Sequence, residues 1–270
     1  MGALLRFSGF GEIGAGPLAR LTLSRLRFVG RTVLDFALPP RCPVCFAPTD
    51  AHHAVCGICW GRMPLIAEPV CAVTGAPLPL PSPNGAISPA ALAKPPRYRR
   101  ARAAALYHGP ARTLIQGLKY ADRHDCAVPM AAWMARAGCG LLKEADLIVP
   151  VPLHWRRQLA RRFNQSAVLA DRLGRVAEKP VAHDVLLRKR ATRQQVGLTA
   201  AQRSTNVSGA FIVKQSAKNR VEGRTVLLID DVVTTGATID ACVKAMLRSG
   251  AAHVDVLSFA RVVQGEEITI

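Results

Sequence analysis

Apolar and polar positions alternate in two distinct rhythms along this chain, and the change of rhythm divides it. From residue 103 onward short apolar runs trade places with segments of helical spacing. "AAALYH" (103–108) predicts a strand, and "GPARTLIQGLKYADR" (109–123) and "VPMAAWMARAGCGLLKE" (128–144) predict helices. "DLIVPVP" (146–152) predicts a strand ended by prolines, and "RFNQSAVLADRLGRVAE" (162–178) a helix with Ala167, Leu169, Ala170, Leu173 and Val176 on its apolar face. "VAHDVLL" (181–187) and "GAFIVK" (209–214) predict two more strands. Another begins with the run Val226–Ile229, followed by a helix over 238–250 and a last strand over 253–262. Strands alternating with helices imply parallel βαβ units, in which ligands bind beyond the carboxyl ends of the strands.

The first third reads differently. Residues 1–16 are Gly-rich and are expected to be disordered or to precede the native start, and residues 17–38 form a basic amphipathic stretch. A helix there either packs on the domain that follows, as Leu and Phe at helical spacing usually do, or touches a membrane surface. Residues 75–96 are rich in proline and read as a linker. The expected organisation is a basic segment over 1–33, a small module with its linker over 34–96, and an α/β domain over 97–270. No internal repeat is evident.

Charge changes this picture. The 270 residues carry 36 Lys and Arg against 18 Asp and Glu, a net +18. That balance predicts attraction to polyanions: nucleic acid, phosphorylated ligands or an anionic membrane face. The arginines cluster at Arg97, Arg99, Arg100 and Arg102, at Arg156, Arg157, Arg161 and Arg162, and at Arg188, Lys189, Arg190 and Arg193. A single cluster reads equally well as a solvated surface; three together favour a polyanion partner. No run of 18 apolar residues suggests a transmembrane helix, and the first residues do not resemble a secretion signal. The expected location is the cytoplasm, with peripheral contact at the inner membrane as the alternative.

Of the eight cysteines, four stand as "CPVC" (Cys42, Cys45) and "CGIC" (Cys56, Cys59). Two such pairs a few residues apart suit one tetrahedral Zn²⁺, whose binding supplies folding energy that so short a segment cannot draw from a core. Disulfides are the competing reading, disfavoured without a secretion signal. His52 and His53 lie between the pairs and read as surface residues. Cys71, in "CAVTG", is a lone thiol; Cys126, Cys139 and Cys242 read as buried small residues.

The strand that begins at Val226 runs into two adjacent acids, Asp230 and Asp231, and then into Thr234-Thr235-Gly236-Ala237-Thr238. Like charges side by side require a cation or hydrogen-bond donors near them. Vicinal sugar hydroxyls would serve, and Mg²⁺ takes carboxylate and phosphate oxygens together. The small-residue loop, its hydroxyls and the helix start beyond it suit a phosphate. Sugar hydroxyls on the aspartates and phosphate in the loop describe a ribose 5-phosphate.

At these residues the sequence resembles the type I phosphoribosyltransferases, and more closely their ComF-like competence branch, a zinc ribbon followed by a phosphoribosyltransferase domain. "LPPRCPVC", "YHGPARTLIQGLKY" (107–120), "IVPVPLHWRRQLARRFNQSAVLA" (148–170) and "LLRKRATRQQVGLTAAQRSTNVSGAF" (186–211) carry the likeness in order, over about residues 34–262. It implies a parallel sheet with flanking helices and a phosphoribosyl pyrophosphate ligand with Mg²⁺. Asp230 and Asp231 would hold the ribose hydroxyls as the catalytic pair, and Thr234 to Thr238 the 5′-phosphate. The turn from Leu153 to Arg157, with Arg156 and Arg157, would face the pyrophosphate, and Arg193 would lie on a loop that closes over the ligand together with Gln195 and Arg203. Arg162 replaces the branch's usual Gly, and Thr74 replaces a cysteine of its third pair. One zinc on Cys42, Cys45, Cys56 and Cys59 is the simplest outcome, although Cys71 remains a competitor for a ligand position.

Two functions follow from these readings. The first is a phosphoribosyltransferase of unnamed acceptor, associated with DNA uptake. The alternative is a non-catalytic single-stranded DNA-binding competence factor that keeps the pocket for regulation. Aromatic residues make up only 5% of the chain, which argues against extensive base stacking.

Overall fold

A computed structural model describes residues 39–80, 85–120, 123–153, 163–190, 207 and 209–263. The N-terminal basic segment and Arg156, Arg157, Arg161, Arg162 and Arg193 lie outside them. Among the described residues no helix is long and apolar enough to cross a membrane.

The elements follow one another as α1 (Gly57–Gly61), α2 (Pro89–Ala93), β1 (Ala101–Leu106), α3 (Gly109–Tyr120), α4 (Ala127–Ala137), α5 (Cys139–Glu144), β2 (Leu147–Pro150), α6 (Gln165–Ala177), β3 (Leu186–Arg188), β4 (Phe211–Val213), β5 (Thr225–Val233), α7 (Ala237–Arg248) and β6 (His253–Arg261). Four strands form a parallel sheet in the order β1-β6-β5-β2. Leu227, Ile229, Leu257 and Phe259 meet α3, α4 and α6 on one face, while Val226, Leu228, Val254 and Val256 meet α7 on the other. Alternate residues of the central strands thus bury opposite faces, and β5 reads as a continuous apolar run for that reason.

Three expectations are corrected. The segments at 181–187 and 209–214 do not join the parallel sheet; β3 and β4 pair antiparallel as a sheet of their own. Val181 forms a parallel bridge to Ile148 at the β2 edge of the main sheet, where Ile148 N–H donates to Pro180 O and Ala182 N–H to Ile148 O. The helix expected over 128–144 is broken at Gly138, whose backbone leaves the helical conformation (φ −104°, ψ 18°) and where Leu257 leaves no room for a side chain. The central strand β5 does not end at the acidic pair but carries its ladder through Asp230, opposite Ser258, to Val233, opposite Arg261.

The N-terminal module covers the β1 edge of the sheet. Leu65 bridges Ala105 antiparallel, Ile66 N–H donates to Ala104 O, Leu106 N–H to Pro64 O, and Ala101 N–H to Val73 O. An edge strand's unpaired backbone groups are thereby satisfied.

This module also contains an internal repeat that the sequence conceals. In its first knuckle Cys42 N–H donates to Ala47 O (2.8 Å), Phe46 N–H to Cys42 O (2.9 Å) and Thr49 N–H to Pro40 O (3.0 Å), with Arg41 bridged to Pro48. The second repeats these bonds position for position: Cys71 to Ala76 (2.7 Å), Gly75 to Cys71 (2.8 Å), Leu78 to Pro69 (2.9 Å), with Val70 bridged to Pro77. Phe46 and Gly75 occupy the same left-handed turn position, at φ 63° and 64°.

The arginines of the first cluster are consumed by the fold. Arg99 grips the buried Asp255 with Nε and Nη2, Arg99 and Arg100 both reach Glu144, Arg97 pairs with Asp240, and Arg102 donates to the carbonyls of Ala72 and Ala101. These contacts bind β1 to β6 and to the ribbon.

Candidate functional site

The four paired cysteines converge. The sulfurs of Cys42, Cys45, Cys56 and Cys59 all lie within 4.8 Å of one another, with Cys45 Sγ and Cys56 Sγ 3.6 Å apart. Zn–S bonds of about 2.3 Å in a tetrahedron require sulfur separations of about 3.8 Å, so this donor set fits structural zinc. The Cys42 sulfur accepts N–H bonds from Val44 and Cys56. Burial raises its pKa, but those donors, with Cys45 N–H, outweigh burial and bring it to about 6. The module rests on the domain through Trp60, whose ring lies 5.3 Å from that of Trp133 at a 38° tilt, and through Arg123, which lies over the Phe46 ring.

The second cluster lies near the carboxyl end of β5. Asp230 and Asp231 are both buried, and each is met by a donor from a different helix. Ser166 Oγ, in the first turn of α6, donates to Asp230 Oδ1 at 3.1 Å, and the N–H of Asp231 donates to the same oxygen at 2.9 Å. Lys119, in the last turn of α3, forms an ion pair with Asp231 Oδ2. The cation and the donor expected beside the pair are therefore supplied by the protein itself.

Local structure explains how these partners arrive. Asn164 caps α6: its Oδ1 accepts from Ser166 N–H, and its Nδ2 donates to Val151 O at the end of β2. This fastens the first turn of α6 to the carboxyl end of the sheet and sets Ser166 against Asp230. Lys119 sits at the carboxyl end of an amphipathic helix whose Leu114, Ile115 and Leu118 are wholly buried. A cation is favoured at that end.

Electrostatics follow from the burial. Asp230 is pushed up to about 8, chiefly by burial and then by the charge of Asp231, against the opposing pull of Lys119 and the two hydrogen bonds. Burial disfavours the Lys119 ammonium, yet the two carboxylates outweigh it and its pKa is raised. Burial and Asp231 thus favour the protonated form of Asp230, beside the Asp231–Lys119 ion pair. The Lys119 and Asp231 side chains keep 17% and 12% of their surface exposed, so the pair opens toward solvent.

The loop beyond has the conformation its residues suggest. Gly236 adopts φ 76°, a left-handed turn that opens α7, and its carbonyl accepts from Asp240 N–H. Thr234 is exposed, and Thr235, Gly236, Ala237 and Thr238 are half-buried. The Thr235 hydroxyl oxygen is buried without a hydrogen-bond partner, and so is Gln165 Nε2, next to Ser166. Leu153 is half-buried at the last described residue before Arg156 and Arg157. A cleft of about 650 Å³ lies against the other side of α7, lined by Arg97, Phe211, Lys244 and Arg248, and reaches the loop only at Ala237.

The structure brings Asp230, Asp231 and the threonine loop together on one strand–turn–helix unit. Sequence reasoning assigned no role to Lys119 and Ser166. Both stood in the stretches that resemble the ComF branch, at Leu-Lys-Tyr and just after Phe-Asn-Gln, and that was the only signal available for them.

Comparison with known proteins agrees with both halves. A double zinc ribbon domain matches residues 33–91, and a phosphoribosyl transferase domain matches residues 163–267. The chain is 33% identical over 234 residues to the DNA utilization protein YhgH of Escherichia coli K12, covering 83% of this chain and 98% of that protein. The chain belongs to the ComF-like family. Within it, Competence protein F of Haemophilus influenzae is 37% identical over 120 residues, 44% of this chain and 52% of that one. Competence protein ComFC of Bacillus subtilis is 31% identical over 106 residues, 39% and 40% of the two chains. The ComF-like architecture accounts for the order of the modules, a ribbon ahead of a phosphoribosyltransferase-type sheet.

Proposed function

We propose that the crevice at the carboxyl end of β5 binds a ribose 5-phosphate group, with phosphoribosyl pyrophosphate as its ligand, and that the protein is a ComF-type factor of DNA uptake or utilisation. One observation carries the first part: an acidic pair held by groups a ligand can displace, followed at once by a turn whose Thr235 hydroxyl lacks any partner. A buried polar group without a partner is costly, and a phosphate oxygen would satisfy it. Vicinal hydroxyls of a pentose would donate to Asp230 and Asp231 in place of Ser166 and Lys119. The freed ammonium then lies beside the bound sugar, available to the ligand's anionic groups.

Asp230 and Asp231 are the residues suited to a divalent cation here, as oxygen donors for Mg²⁺ shared with the ligand. Bound there, Mg²⁺ would supply neutralisation of the pyrophosphate charge. In a transfer reaction the C1–O bond breaks, pyrophosphate leaves with the electron pair, and an acceptor nucleophile bonds to C1. No protein nucleophile is required. The chain's contribution is to position the sugar and balance charge in a buried site. Arg156, Arg157 and Arg193 would face the pyrophosphate.

Calorimetry with phosphoribosyl pyrophosphate and Mg²⁺ tests the pocket. The wild type binds, and Asp230→Ala/Asp231→Ala loses binding by at least about 100-fold, the loss of two hydrogen bonds to the acidic pair. Retained affinity in the variant would refute the assignment. Pyrophosphate release with a panel of bases then separates turnover from binding alone.

The DNA role draws on the net +18 and on relatives named for DNA utilization and competence. The backbone-contacting arginines would come from the second and third clusters, since Arg97, Arg99, Arg100 and Arg102 are engaged within the fold. Affinity for single-stranded DNA should fall steeply with salt; affinity independent of salt would remove this reading.

A further inference from the structure

The two knuckles of the ribbon share a backbone but differ in what stands at the metal positions. In the first, Cys42 is followed by Cys45, then by Cys56 at the N-cap of α1 and Cys59 as that helix's third residue. In the second, Cys71 is followed by Thr74, then by Ser88 at the N-cap of α2 and Ala91 as its third residue. The equivalence is not merely one of spacing. Cys56 N–H donates to Cys42 Sγ at 3.4 Å, and Ser88 N–H donates to Cys71 Sγ at 3.2 Å. Val44 N–H and Thr74 N–H supply the second bond to each sulfur.

This donor set does not fit a zinc ion. Structural zinc needs four ligands, nearly all thiolate or imidazole. The second knuckle offers one thiol, two neutral hydroxyls and, at Ala91, no donor atom. Ser88 Oγ is already used, accepting from Ala91 N–H to cap α2. Thr74 Oγ1 accepts from Ala76 N–H.

Other contacts hold this knuckle. Arg261, the last residue of β6, donates from Nη1 to Thr74 O, and Arg102 donates to Ala72 O. Ala101 N–H donates to Val73 O. At Gly75 a side chain would begin 2.5 Å from Ala101 O, so the turn lies directly on β1. Arg261 is largely buried, and Cys71 and Tyr98 are near enough to act on it electrostatically. Burial raises the Cys71 pKa, but the Ser88 and Thr74 donors outweigh it and bring the thiol to about 6. Cys71 thus has the same electrostatic character as the zinc-suited Cys42, with a guanidinium nearby instead of a metal.

We propose that this double ribbon binds a single zinc, and that its second half is a metal-free knuckle held by backbone N–H bonds to Cys71 and by the Arg102–Arg261 clamp to the sheet. The half that lost its ligands is the half fastened to β1 and β6, so docking has replaced coordination.

Metal analysis of the full chain tests this. The purified protein should hold one zinc per chain, and Cys71→Ser should hold the same. A second equivalent in the wild type, or loss of the single zinc in Cys71→Ser, would overturn the proposal. Because Cys71→Ser could unfold, hydrogen exchange of the wild type gives an independent reading. After zinc is stripped by a strong chelator, amides of residues 42–59 should lose protection while Cys71, Gly75 and Leu78 keep theirs. Simultaneous loss in both knuckles would contradict a metal-free second half. Thr74→Cys/Ser88→Cys/Ala91→Cys should raise the content to two zinc ions per chain; failure of that folded variant to take up the second would contradict the proposed equivalence of positions.

Discussion

Two regions of this molecule crowd groups of like charge, and they resolve the conflict in opposite ways. At Cys42, Cys45, Cys56 and Cys59 the sulfurs converge on one point, and every ligand a zinc ion needs comes from the protein. Such a site is closed: its product is a fold. At Asp230 and Asp231 the carboxyl groups are parted between two helices, one hydrogen-bonded to Ser166 and one paired with Lys119, and the neighbouring Thr235 hydroxyl is left without a partner. On the function proposed above that arrangement is open: each neutralising group gives way to a ligand atom. The difference teaches how to tell structural from functional charge clusters. A structural one saturates itself, and a functional one leaves a remainder.

The comparison breaks most visibly at the zinc. Removing it by chelation, or by Cys45→Ser/Cys59→Ser, should unfold the first knuckle, since structural zinc contributes on the order of 10 kcal/mol to such modules. Loss of the Trp60–Trp133 ring contact makes tryptophan fluorescence the readout, and the Asp230 crevice should still bind its ligand. Unchanged fluorescence after complete metal loss would show that the ribbon does not depend on zinc.

Lys119→Met sharpens the other side. It leaves Asp231 buried without its cation, and should cost roughly 2–4 kcal/mol in denaturant unfolding. If the lysine is a stand-in for ligand, phosphoribosyl pyrophosphate with Mg²⁺ should restore more stability to this variant than to wild type. A variant as stable as wild type would mean that the ion pair is idle.

Asp230→Asn gives the most specific test. Because the folded pKa is raised to about 8, the folded state keeps a proton that the unfolded chain has released. Stability is full below the ordinary carboxylate range and declines as pH climbs from there through about 8. The asparagine variant should lack that slope and melt above wild type at the alkaline end, while losing ligand binding. An identical slope in both proteins would place the titration elsewhere.

How much of this was legible in the residues alone differs by region for physical reasons. The cysteine pairs and the strand–acid–threonine unit could be read because their chemistry is contiguous: the residues that act together are neighbours in the chain. The same holds for the apolar rhythm of β5, α7 and β6. Lys119 and Ser166 could not be assigned, because they reach the aspartates only through the packing of α3 and the Asn164 bridge from α6 to β2. The antiparallel β3–β4 pair escaped because three-residue strands carry too little pattern to reveal their partner. The ribbon's repeat was hidden by the replacement of its cysteines, although its backbone bonds survive. The first arginine cluster read equally well as a solvated surface or as part of a polyanion site, and only the positions of Asp255, Glu144 and Asp240 show its ion pairs within the protein.

The central claim is that Asp230 and Asp231 receive the vicinal hydroxyls of a pentose phosphate, and one comparison of ligands bears on it directly. Binding of ribose 5-phosphate and of 2-deoxyribose 5-phosphate should be measured side by side, in wild type and in Asp231→Ala. The account predicts that wild type prefers the ribose by at least about tenfold, the equivalent of one hydrogen bond to a charged group, and that Asp231→Ala erases the preference. Equal affinity of wild type for the two sugars, or a preference that survives in Asp231→Ala, would contradict it.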